Sequence, residues 1–112
     1  MRRSLAIAAA LATLGALAIP ALAATRSVKV GDNYFVRRQG VPTVTVRRGD
    51  TVRWNFAGHR AHNVAVRSGP VRFRSPTRTR GSYSRRLTRG GTYRIYCQIH
   101  GSRDQSMILK VR

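Results

Sequence analysis

Cys97, His100 and Met107 put a soft thiolate, an imidazole and a thioether into one stretch of eleven residues, Cys97-Gln98-Ile99-His100 followed by Met107. A second imidazole stands upstream in Ala61-His62-Asn63-Val64. Two histidines, one cysteine and one weakly held methionine are the donor set of a mononuclear blue-copper electron-transfer site. The sulfur donors favour Cu(I), the imidazoles accept both oxidation states, and a weak axial donor tunes the potential. Zinc also takes Cys and His, but its closed structural sites want more thiolates than a chain with one cysteine supplies. The chain has three aspartates and no glutamate, so paired carboxylates for acid–base work are missing. No acid stands near a histidine in the sequence to complete a serine triad. The chain is therefore read as a metal-binding protein and not as an enzyme.

These donors need elements to hold them. Ser27-Val28-Lys29-Val30 and Thr43-Val44-Thr45-Val46 alternate with period two. Val52, Trp54 and Phe56 share one face; Val64 and Val66, then Val71 and Phe73, continue the pattern. Tyr93, Ile95 and Cys97 share another face, as do Met107, Leu109 and Val111. Such alternation of β-branched and aromatic residues predicts half-buried strands. Turn formers separate them at Gly31-Asp32-Asn33, Gly40, Gly49-Asp50, Ala57-Gly58, Ser68-Gly69-Pro70, Gly81-Ser82 and Gly90-Gly91. Seven or eight short strands with close turns predict an antiparallel sandwich or barrel. The segment 74–84, rich in Arg, Ser and Thr, reads as a loose connection. Asp32 and Asp50 read as turn formers. The aromatic residues read as packing or rim groups and not as base-stacking platforms, so no specific nucleic acid is expected.

On this reading the strand 93–97 ends in the thiol, a loop follows, and Met107 opens the last strand. His62 heads a separate strand. His59, in the turn Gly58-His59-Arg60, reads as an exposed loop histidine. Six residues separate His100 from Met107. If Met107 does not ligate, Gln105, Gln98 or a backbone carbonyl remains for the axial position.

The N-terminus reads as a signal peptide. Arg2 and Arg3 precede an apolar run over 5–19, Pro20 breaks it, and Ala21-Leu22-Ala23 fits a cleavage site before Ala24. The run is shorter than the roughly 20 residues of a bilayer span. The expected mature chain, 24–112, is one small domain, exported to the periplasm or the extracellular space, with no transmembrane segment. A lone cysteine in an exported chain calls for a use, and metal ligation accounts for its histidine company. Two of the 22 basic residues lie in the leader; the twenty that remain face Asp32, Asp50 and Asp104, a formal net charge of +17. Such a surface draws anionic partners: an acidic redox protein, or anionic cell-surface polymers.

Three segments together resemble the cupredoxin family, of the plastocyanin, pseudoazurin and amicyanin kind. They are Val44–Trp54 with its central Gly49-Asp50, Ala61-His62-Asn63-Val64, and Gly91-Thr92-Tyr93-Arg94-Ile95-Tyr96-Cys97-Gln98-Ile99-His100. The resemblance covers nearly all of the mature chain. It implies an all-β Greek-key sandwich of about seven or eight strands, one copper ion, His62, Cys97 and His100 as equatorial ligands, and Met107 as the axial one. It implies too that Asn63 ties the two ligand segments together by hydrogen bonds. The function expected is one-electron transfer to a redox partner. The alternatives are copper homeostasis or delivery, and a cationic polyanion-binding module with incidental copper.

Overall fold

Residues that alternate apolar with polar bury one face of a strand, and two such faces bury each other. The computed structural model describes residues 22–112; the expected signal peptide over 1–23 lies outside the described residues but for its last two positions. Eight strands form: β1 (Thr25–Gly31), β2 (Tyr34–Phe35), β3 (Thr43–Val46), β4 (Thr51–Phe56), β5 (Ala65–Ser68), β6 (Gly81–Arg86), β7 (Gly91–Tyr96) and β8 (Ser106–Val111). They make two four-stranded sheets, ordered β2-β1-β4-β6 and β3-β8-β7-β5. No helix among the described residues is long and apolar enough to cross a membrane.

The core is the apolar half of each alternation. Val28, Val30, Val52, Trp54 and Phe56 face inward from the first sheet, and Val44, Val46, Tyr93, Ile95, Leu109 and Val111 from the second. Each large side chain buried this way contributes about 1.5–3 kcal/mol. Trp54 sits at the centre with its ring centroid 6.0 Å from those of both Phe73 and Tyr83. Its indole N–H, fully buried, has no hydrogen-bond partner among the described residues.

Pairing sense departs from the antiparallel expectation. β1 runs parallel to β4, from Thr25↔Thr51 to Val30↔Phe56, and β3 runs parallel to β8. Alternation reports which face is buried and is silent on strand direction, so both pairings are beyond its reach. Val71 and Phe73 lie outside any strand; Phe73 joins the core from a connection that makes two isolated bridges, Ala65↔Arg74 and His62↔Arg78. The loose-looking segment 74–84 in turn contains the first four residues of β6, whose register with β4 runs from Thr51↔Arg86 to Phe56↔Gly81.

The parallel pairing has a positional consequence. β1 and β4 finish side by side, so Asp32 and the 57–62 loop leave from the same end of the sandwich. β7 finishes opposite the start of β8, at Tyr96↔Ser106, so Cys97 and Gln105 lie at one end as well. Gln105 Nε2 donates to the carbonyl of Gly31 at 3.0 Å and so joins the two sheets there. The opposite end holds Asp50, whose carboxylate accepts from the backbone N–H of Ala24 and of Arg47, both at 2.9 Å.

Candidate metal centre

Cys97 immediately follows β7, where the alternation of Tyr93 and Ile95 sends its side chain inward, and it is fully buried. The chain then turns sharply: Gly101 N donates to Cys97 O at 2.9 Å, with Gly101 at φ +83°, a conformation that suits glycine. Gln105 N returns to Gly101 O at 3.0 Å, and Cys97 N closes the loop on Gln105 O at 3.1 Å. The loop 97–105 is thus stapled shut at its base, with half-buried His100 at its bend.

His62 is held from three directions. Its backbone exchanges two bonds with Arg78, each 2.9 Å. Its ring, fully buried, sits between two side chains: Nε2 is 2.9 Å from Asp32 Oδ1, and Nδ1 is 2.9 Å from Gln105 Oε1. An ionised carboxylate only accepts, so Nε2 carries the proton and donates. Asp32 also accepts from the backbone N–H of His59 and of Arg60. Those contacts, led by the His59 N–H and followed by the His62 ring and the Arg60 N–H, hold its carboxyl far below the usual carboxylate range.

Next to His62, Asn63 spans the segment that carries His62 and the one that carries Cys97. Its Nδ2 donates to Gln98 Oε1 and its Oδ1 accepts from Gln98 N, both at 2.8 Å. This reciprocal pair locks the 62–64 segment to the cysteine loop. Val64 N is held by Ser75 Oγ at 2.8 Å.

The result is convergence. His62, Cys97 and His100 each offer one donor atom, and the three lie within 4.8 Å of one another. Cys97 Sγ is 3.4 Å from His100 Nδ1, and the two imidazole rings are 4.8 Å apart between centroids. This is the chemistry of a soft, one-electron metal: one thiolate and two imidazoles around one point. His59 is exposed and enters only through its backbone N–H. Met107 lies in β8, opposite Ile95, as a buried member of the same apolar cluster as Cys97.

No family model matches the chain, and neither does any curated protein. Solved structures do. Amicyanin from Paracoccus versutus superposes with a TM-score of 0.65 at 26% identity, covering 87% of this chain and 88% of that one. A mutant amicyanin in its Cu(I) form gives 0.65 at 25% identity, covering 79% and 82%. The purple cupredoxin from Nitrosopumilus maritimus gives 0.64 at 16% identity, covering 78% and 99%.

The chain has the cupredoxin fold.

The clustered His62, Cys97 and His100 are a donor set that suits one copper ion. Two residues around this donor cluster make contacts that the sequence does not announce. Asp32 reads there as a turn former, and 30 positions separate it from the ring it touches. Gln105 stands there only as one of several axial alternatives. What raises it is its place: a buried amide just before β8, whose side chain reaches the His62 ring and the carbonyls of Gly31 and Tyr34.

Proposed function

We propose that this protein is an exported one-electron carrier, working through a type 1 copper site and not as an enzyme. The observation that carries the reading is the meeting of His62, Cys97 and His100 donor atoms within 4.8 Å. Copper, when bound, supplies a reversible Cu(I)/Cu(II) couple.

The chain's own residues supply the rest. Cys97 and His62 are buried, which keeps water from two of the donors. The Asn63–Gln98 pair and the His62–Arg78 bridge hold the ligand segments so that little moves when the charge changes. His100 is half-buried and flanked by Ile99, 52% exposed, so the ring edge offers the way out to a partner. The net charge of the chain without its leader favours an acidic redox protein as that partner. Anionic cell-surface polymers would be attracted by the same charge, without a use for the copper.

Colour tests the reading. The 24–112 protein loaded with Cu(II) is expected to turn intensely blue, with the narrow paramagnetic resonance pattern of a thiolate-bound ion. Cys97→Ser is expected to abolish both. A colourless Cu(II) complex of the intact protein would refute it.

A further inference from the structure

His62 and Gln105 make a contact that needs a positive centre at Nδ1, either a second ring proton or a metal ion, and the neighbouring Cys97 and His100 donors favour the metal. With Nε2 donating to the Asp32 carboxylate, a neutral ring presents a bare lone pair at Nδ1. That lone pair faces Gln105 Oε1 at 2.9 Å, an atom that also only accepts. Turning the Gln105 amide over does not help. Its Nε2 donates to two carbonyls, those of Gly31 and Tyr34, each at 3.0 Å. A flip would aim an oxygen at both of them. The amide orientation is therefore set by the backbone, and its oxygen is committed to the His62 side.

Gln105 is 1% exposed, so no bulk water relieves the oxygen. Two buried acceptors aimed at one another make a costly arrangement without a positive centre, and a good pair of ligands with one. The loop closure Cys97 N→Gln105 O brings the same residue against the thiolate segment. From this geometry, and resting on the copper reading above, we infer that Gln105 Oε1 is the fourth donor to the metal and that Met107 is a core residue.

The inference has a chemical signature. An amide oxygen is a harder donor than a thioether and favours Cu(II) over Cu(I). The test compares Gln105→Met, Gln105→Leu and Met107→Leu with the wild type, each copper-loaded, by protein-film voltammetry and electron paramagnetic resonance. Both Gln105 variants lose the same hydrogen bonds to Gly31 and Tyr34. Any difference between them therefore reports on the donor atom and not on the loop. The reduction potential is expected to rise from wild type to Gln105→Met and again to Gln105→Leu, with the copper hyperfine splitting changing in each. Met107→Leu is expected to leave both readouts unchanged. Equal potentials in the two Gln105 variants, or a shift in Met107→Leu, would overturn the assignment. A wild type that binds copper without blue colour would instead overturn the copper-site reading on which it rests.

Discussion

Replacing Asp32 by asparagine asks what the far side of a ligating imidazole contributes. The substituted amide oxygen would still accept from His62 Nε2, but without the charge that raises the basicity of the opposite nitrogen. Such outer partners of metal-bound histidines typically account for roughly 10–100-fold in affinity. Asp32→Asn is expected to weaken copper binding by about that factor, read by competition against a chelator, with the circular dichroism of the fold unchanged. At this scale the sequence disclosed His62, Cys97 and His100, because soft donors are rare and their types announce their chemistry. It could not disclose Asp32 or decide between Gln105 and Met107. Carboxylates and amides are common surface groups, and what distinguishes these two is contacts made across 30 and 43 positions.

At the scale of elements, Asp50 fastens the start of β1 to the β3–β4 turn. In an unfolded chain its carboxyl titrates near 3.8; in the fold the N–H of Ala24, and after it that of Arg47, hold it lower. The folded state therefore binds this proton more weakly than the unfolded state. The stabilisation is fully present above the unfolded value and is lost as pH falls through the folded one. Thermal unfolding of the metal-free protein is expected to show the melting temperature dropping as pH falls below about 4. Asp50→Asn should melt lower at pH 7 and lose less on acidification; an identical pH profile for the two proteins would show that Asp50 is not the group responsible. Strands were legible wherever alternation was apolar. β6 was not: its residues are partly exposed or exposed throughout, and only Tyr83 packs against the core, opposite Trp54. Phe73 misled in the other direction, since one buried ring between prolines and arginines is an anchor and not a strand.

For the molecule as a whole, charge is the dominant property. Twenty basic residues over 24–112 create a field that reaches about 30 Å at 0.01 M salt and about 10 Å at 0.1 M. Electron transfer to an acidic acceptor is expected to slow steeply across that range, measured by stopped-flow absorbance at the blue band. A rate indifferent to salt would argue that docking relies on the apolar surface around Ile99 and His100 instead. The fold class was readable because small sandwiches advertise themselves through short alternations and close turns. The mixed pairing was not, because it is decided by which strands meet and not by what any one strand contains.

The two parallel pairings also sort the molecule into a working end and an anchoring end. Ala24 is pinned beside Asp50, and Arg112 N donates to Val46 O, so Ala24 and Arg112 lie at the end of the sandwich opposite Cys97 and Gln105. A linker to an electrode, a fluorophore or a neighbouring domain grafted onto Arg112 would leave the proposed metal centre facing outward.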